Sequence, residues 1–121
     1  MALEVASLTS RELALKAAQL ADSKKAEEIV LLRLSEVTDF VDYFVVCTAQ
    51  SETQINAVVD AILDGLEKDH LKVWNSEGRG TRSWVLLDYV DVVVHVFLPQ
   101  TRQFYALEKL WGDAPAEAYP A

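Results

Sequence analysis

The sequence predicts a single α/β domain in which helices pack on a mixed, five-stranded β-sheet. Two segments place apolar residues at helical spacing directly after a capping residue, which is Thr9 in one segment and Ser51 in the other. Runs of aliphatic and β-branched residues lie between these segments, as strands do in an α/β sheet. Two of the runs, at 84–88 and 91–97, are joined by too few residues for a crossover helix, so they should pair as an antiparallel hairpin.

The length and composition of the chain fit one domain. The 121 residues are 51% hydrophobic and 25% charged, which is an ordinary globular composition. No internal repeat or flexible linker divides the chain. We expect the domain to span 9–111, with an N-terminal tail at 1–8 and a C-terminal tail at 112–121.

The charge of the chain narrows the class of partner. Nineteen acidic and 11 basic side chains give a formal charge of −8, which argues against a protein that grips a phosphate backbone. A basic protein partner, or no partner, fits this charge better. No apolar run approaches the roughly 20 residues that span a membrane, and the N-terminus has no secretory signal. With a single cysteine as well, we expect a cytoplasmic protein.

The first third of the chain predicts a helix followed by two strands. Thr9 and Glu12 have the spacing of a capping box, and the apolar positions that follow share one helical face. The polar segment 22–25 ends this pattern. Segments 29–34 and 41–48 are rich in aliphatic and β-branched residues, and each predicts a strand.

The remainder of the chain predicts a helix, three strands and a last helix. Ser51 and Gln54 form a second capping box before a wide apolar stripe. A short strand at 71–74 and the hairpin follow, and residues 102–111 again show helical spacing. The element order is α-β-β-α-β-β-β-α, which predicts a mixed sheet with helices packed against it.

The hairpin presents two chemically different faces. If Tyr89 and Val90 form a two-residue turn, Trp84 lies opposite His95 and the side chains alternate between the faces. One face is aliphatic and belongs to the core: Val85, Leu87, Val92, Val94 and Val96. The other face is mixed: Trp84, Leu86, Asp88, Asp91, Val93, His95 and Phe97. Unpaired burial of these polar groups would be costly, so the mixed face is either a protein-binding surface or a face that the C-terminal helix covers, with the acids at its border.

Two D-x-x-D pairs leave an enzymatic alternative open. Paired carboxylates can hold Mg²⁺ for phosphoryl transfer, so a divergent Mg²⁺-dependent nucleotidyltransferase would use Asp88 and Asp91. Against this, no glycine-rich phosphate loop precedes a helix, and acids in such positions more often flank turns. Cys47 lies in an apolar strand, where an inert buried thiol is the expected state. No residue set in the sequence predicts a bound cofactor or metal.

Four segments together resemble the ribosomal silencing factor family, also called the iojap family. They are D-Y-F-V-V-C-T-A-Q-S-E-T-Q at 42–54, E-G at 77–78, W-V-L-L-D-Y-V-D-V-V-V-H-V-F at 84–97 and R-Q-F-Y-A-L-E-K-L-W at 102–111. The resemblance covers about 8–111. It implies a fold similar to that of nucleotidyltransferases without their catalytic machinery, and a role that is not enzymatic and needs no cofactor.

The resemblance also implies a partner and a mechanism. Family members bind ribosomal protein fourteen of the large subunit, hinder joining of the small subunit and lower translation when nutrients are short. We therefore expect little direct contact with nucleic acid and none with a membrane. A homodimer of the free protein, paired through the mixed face, is a further hypothesis.

The partner-binding residues follow from the hairpin pattern and the resemblance. Trp84, Asp88, Asp91 and His95 match the hairpin motif of the family, and Glu77 matches its preceding loop. The full predicted set of partner-binding residues is Trp84, Leu86, Asp88, Tyr89, Asp91, His95 and Glu77. The family often has glycine where this chain has Val90, and because a β-branched residue disfavours positive φ, the hairpin loop could be wider than two residues.

Overall fold

The computed structural model describes residues 8–80 and 83–120, which form one sheet with helices on both sides. The elements are α1 (Ser10–Ser23), β1 (Glu27–Arg33), β2 (Tyr43–Thr48), α2 (Glu52–Glu67), β3 (Asn75–Glu77), β4 (Trp84–Asp88), β5 (Val92–Phe97), α3 (Pro99–Tyr105), α4 (Leu107–Leu110) and β6 (Ala116–Tyr119). The strand order is β3-β4-β5-β2-β1-β6. β2 and β5 are parallel and all other neighbours are antiparallel, so the predicted mixed α/β fold is confirmed. No helix in this described part of the chain is long and apolar enough to cross a membrane.

The starts of α1 and α2 follow the predicted capping residues. The Thr9 hydroxyl accepts the Glu12 N–H at 3.1 Å, and the Glu12 carboxylate accepts the Thr9 N–H at 2.9 Å, which completes the capping box. The Ser51 hydroxyl accepts the Gln54 N–H at 3.1 Å. The Gln54 side chain, however, accepts the N–H of Gln50 rather than that of Ser51, so the second capping box is displaced by one residue.

The hairpin forms with a wider loop than a two-residue turn. Trp84 pairs with Phe97 and Asp88 with Val93, so the predicted pairing of Trp84 with His95 is wrong by two residues. A shift of two residues leaves every side chain on its predicted face, because the side-chain period of a strand is two. Val90 lies in the loop with φ of 76°. On either side of it, the Asp91 N–H donates to the Tyr89 carbonyl at 2.9 Å. This is the i→i+2 hydrogen bond of a γ-turn, and its positive φ is strained for valine.

The sheet has six strands rather than the predicted five. The missed strand is β6, which pairs antiparallel with β1 and lies inside the segment predicted as a C-terminal tail. Arg11 of α1 fastens it through two 2.9 Å hydrogen bonds to the carboxylate of Glu117. Its sequence, A-E-A-Y, has weak strand propensity, because alanine and glutamate are both depleted in strands. The third strand also differs, since β3 begins at Asn75 and not at 71.

The predicted helix at 102–111 is divided at Ala106. This residue adopts the left-handed conformation, with φ of 46°, so α3 ends at Tyr105 and α4 begins at Leu107. Phe104 and Leu110 are 80% and 72% exposed, although unbroken helical spacing would direct them to the core. Leu107 keeps a buried position.

Two cores lie on opposite faces of the sheet. The main core packs α1 and α2 on the predicted aliphatic face of the hairpin and on alternate residues of β1 and β2. The second core is small and packs α4 on β1, β2 and β5: Leu32, Leu34, Val46, Phe97, Leu107 and Ala114. It reaches the mixed face of β4 only at Trp84. On the mixed face, His95 and Phe97 of β5 are buried, whereas Val93 of β5 and Trp84, Leu86 and Asp88 of β4 are half-buried.

Candidate partner-binding strip

A strip of polar and aromatic side chains runs along β4 on the mixed face of the sheet. Trp84, Leu86 and Asp88 alternate with buried residues, so they lie on one side of the strand, and all three are half-buried. β3 places Glu77 directly opposite Leu86. Tyr105 of α3 packs against Trp84, with ring centroids 4.6 Å apart. We call Glu77, Trp84, Leu86, Asp88 and Tyr105 the strip.

A groove opens along the strip, between β3 and β4 on one side and α3 on the other. Its volume is about 320 Å³, and its lining includes Glu77, Trp84 and Leu86 from the sheet and Tyr105 from the helix. Gly78 makes the close approach of β3 and β4 possible here, since its φ is 91° and a Cβ atom would lie 1.9 Å from the carbonyl oxygen of Trp84. Aromatic, aliphatic and acidic side chains therefore line one groove, a combination found on surfaces that receive a protein side chain.

The indole of Trp84 is held in one orientation. Its Nε1–H donates to Nδ1 of His95 at 3.1 Å. Its ring centroid lies 4.9 Å from that of Phe97 and 4.6 Å from that of Tyr105. A large side chain that is fixed before binding loses little conformational entropy when a partner docks, so Trp84 is well prepared to act as an anchor.

Two of the seven predicted partner-binding residues lie inside the molecule. His95 is 3% exposed and Tyr89 is 7% exposed, so neither side chain presents a binding surface. Burial lowers the pKa of His95 to about 4. Burial, and in second place the charge of Glu67, raises the pKa of Tyr89 to about 12. Tyr89 packs in the main core because the turn directs it to the aliphatic side.

The two remaining acids lie at the hairpin loop. One carboxylate oxygen of Asp88 accepts the Val90 N–H at 2.7 Å, which gives Asp88 a role in shaping the loop. Asp91 is exposed, and its backbone carbonyl accepts the N–H groups of Asp42 and Tyr43.

Within residues 8–80 and 83–120, no group of three or more His, Cys, Asp or Glu side chains is placed to hold a metal ion. Complete burial raises the pKa of the Cys47 thiol to about 12, as expected of an inert thiol.

Comparison with known proteins places the chain in a family. The family described as "ribosomal silencing factor during starvation" matches residues 7–120. The chain belongs to the ribosomal silencing factor family. The ribosomal silencing factor of Bacillus subtilis (strain 168) is 42% identical over 99 residues, which cover 82% of this chain and 84% of the relative.

Two further proteins extend the likeness. A crystal structure of a protein from Chromobacterium violaceum superimposes with a TM-score of 0.84 at 32% identity, covering 87% of this chain and 88% of the other. A mouse protein, named "mitochondrial assembly of ribosomal large subunit protein 1", is 30% identical over 93 residues, which are 73% of this chain and 40% of the mouse protein. The fold and the family therefore agree with the resemblance that the sequence carries.

The residue of the strip that sequence analysis missed is Tyr105. It is 48% exposed, it is the last residue of α3, and its ring contacts that of Trp84. Position 106 is an alanine, not the glycine or proline that would signal a helix end in the sequence. Phe104 is the neighbouring aromatic that helical spacing singled out, and it faces solvent instead.

Proposed function

We propose that this protein acts in the cytoplasm as a translational repressor that binds the large ribosomal subunit through ribosomal protein fourteen. While bound, it blocks joining of the small subunit and lowers translation under nutrient limitation. Membership in the ribosomal silencing factor family supports a ribosomal partner, and the name of the mouse relative supports the large subunit. The observation that carries the proposed contact is the ring pair of half-buried Trp84 and exposed Tyr105 beside an acidic border.

The strip divides into an anchor and a charged border. Trp84 and Tyr105 form the anchor, since desolvated Trp and Tyr side chains contribute most of the binding free energy at many interfaces. Glu77 and Asp88 border the anchor, and Asp91 extends the acidic border at the loop. Carboxylates at a rim mainly raise the association rate with a basic partner, and the formal charge of −8 adds to this attraction.

Blocking by a bound protein needs no chemical step. A protein of 121 residues that occupies the contact surface of ribosomal protein fourteen excludes the small subunit from that surface. The proposal therefore predicts saturable one-to-one binding without turnover. The enzymatic alternative would instead require Mg²⁺ and a nucleotide, and Asp88 is already engaged in the hairpin loop.

Co-sedimentation with separated large subunits tests the proposed contact. Trp84→Ala should weaken binding by about 2–4 kcal/mol, or roughly 30- to 1000-fold, because it removes the anchor. Tyr105→Ala should weaken binding as well. Because the Tyr105 side chain is 48% exposed, its removal should disturb the fold little. Trp74→Ala is the matched control, since Trp74 is 72% exposed and lies outside the strip.

The outcomes distinguish the partner from the face. Loss of binding in the Trp84 and Tyr105 variants, with wild-type binding in the Trp74 variant, supports both. Equal binding by all four proteins would retain the partner and refute the strip. Failure of the wild-type protein to sediment with large subunits would refute the proposed function itself.

A further inference from the structure

His95 makes a single side-chain hydrogen bond within the described part of the chain, and that bond is to Trp84. The imidazole is buried near the middle of β5, with ring centroids 4.5 Å from Phe44 and 6.1 Å from Phe97. Its Nδ1 accepts the indole N–H of Trp84 at 3.1 Å. An indole nitrogen is only a donor, so Nδ1 carries no proton and the neutral ring has its proton on Nε2. Across the described residues, Nε2 is buried and has no hydrogen-bond partner.

An imidazole with one unpartnered nitrogen is an unfavourable choice for a core position. A phenylalanine would fill this aromatic environment without burying a polar atom. The property that histidine adds is an acceptor for the indole N–H of Trp84. Because burial lowers the pKa of His95 to about 4, the ring stays neutral and Nδ1 stays able to accept near neutral pH.

The geometry points to His95 as a positioning residue that fixes the indole of Trp84 for the partner. The ring contacts with Phe97 and Tyr105 are tilted, at 31° and 46°, and such contacts depend less on direction than a hydrogen bond, which has a preferred direction and length. Fixing the ring before docking removes an ordering cost from the association. This role rests on the proposed function, because Trp84 is the anchor of the proposed contact.

Two substitutions separate the acceptor from the packing. His95→Phe keeps an aromatic ring of similar size and removes the acceptor. His95→Asn loses the ring but keeps a carbonyl oxygen near the position of Nδ1. Positioning by the acceptor predicts that His95→Phe binds large subunits about 3- to 10-fold more weakly than wild type, and that His95→Asn binds better than His95→Phe. A role in packing alone predicts the opposite order.

A spectroscopic signal tests the same bond in the free protein. The chain has three tryptophans, so a ¹H–¹⁵N spectrum shows three indole signals. The Trp84 signal should lie downfield in the wild type and in His95→Asn, and should move upfield in His95→Phe. In a Trp84→Phe background, which has no indole N–H at this position, the further substitution His95→Phe should no longer weaken binding.

The results separate this inference from the proposed function. A Trp84 signal that does not respond to His95→Phe, or binding by His95→Phe that matches the wild type, would overturn the role of His95 even if the wild type binds large subunits. Absence of wild-type binding would overturn the proposed function and, with it, the positioning role, whatever the indole signal shows. Thermal unfolding of both variants identifies any loss of binding that comes from loss of the fold.

Discussion

Replacing Arg102 with methionine should destabilise the protein by about 3 kcal/mol. Arg102 is only 9% exposed, and it joins α3 to three other parts of the fold. Its guanidinium donates to the Glu28 carbonyl at 2.7 Å, to the Thr48 hydroxyl at 2.8 Å and to the Glu108 carboxylate at 2.6 Å. Methionine keeps the apolar stem, so the loss comes from the polar contacts and not from packing.

The magnitude follows from the exposure of the groups left behind. Removing one partner of a buried charge pair costs about 3–5 kcal/mol. Glu108 is 36% exposed at its side chain and can regain water, which places the cost of Arg102→Met near the lower end of that range. The hydroxyl of Thr48 is buried and loses its partner, so the cost should not fall to zero.

Urea unfolding measures this effect directly. The matched control is Arg33→Met, because Arg33 and Glu36 form a 3.1 Å pair whose side chains are 46% and 66% exposed. An exposed pair of this kind contributes less than about 1 kcal/mol. If Arg102→Met changes the free energy of unfolding no more than Arg33→Met does, the hydrogen-bonded role of Arg102 is refuted.

Three further predictions concern the hairpin and the strip. Val90→Gly should raise the free energy of unfolding by about 1 kcal/mol, because glycine accepts the positive φ without strain; a loss of stability in urea would contradict this. Glu77→Lys should slow association with large subunits and flatten its salt dependence, whereas Glu36→Lys, in the loop that follows β1, should leave both near wild type; equal rates for the two variants would contradict a rim role. Folding lowers the pKa of His95 from 6.5 to about 4, so the unfolded chain binds the proton at a higher pH than the folded chain does. The free energy of unfolding should therefore fall by up to about 3 kcal/mol as the pH drops from 6.5 to about 4. Urea unfolding at several pH values should show this excess slope in the wild type and not in His95→Phe; identical slopes would refute it.

Local sequence signals predicted the elements whose determinants are local. Thr9 and Ser51 cap α1 and α2 as their spacing indicates, because a side-chain cap acts within one turn of its own helix. The alternation along β4 and β5 also predicted both faces of the hairpin. The face assignment stayed correct although the predicted register was wrong by two residues, because the side-chain period of a strand is two.

The elements that the sequence did not reveal depend on distant contacts. β6 has weak strand propensity and forms by pairing with β1, with the Arg11–Glu117 pair linking residues 106 positions apart. The break at Ala106 places an ordinary helix former in a left-handed conformation. Consequently the spacing of 102–111 indicated Phe104 as a core residue, whereas Tyr105 is the aromatic that completes the strip.

The burial of His95 and Tyr89 shows a second limit of pattern analysis. Both residues lie in the hairpin segment 84–97, and both were predicted to contact the partner. The structure places Tyr89 in the main core and His95 beneath Trp84. Alternation along a strand assigns a side chain to a face, but it does not show that the rings of Phe44, Trp84 and Phe97 enclose His95, or that the loop after β4 directs Tyr89 to the opposite face.

An order-of-addition experiment tests whether the bound protein excludes the small subunit. Separated large subunits are incubated with the wild-type protein or with Trp84→Ala before small subunits are added, and the joined ribosomes are quantified by sedimentation. The wild type should lower the joined fraction in proportion to its occupancy of large subunits, and Trp84→Ala should not. Joined ribosomes that still carry stoichiometric wild-type protein would contradict the claim that binding and subunit joining exclude each other.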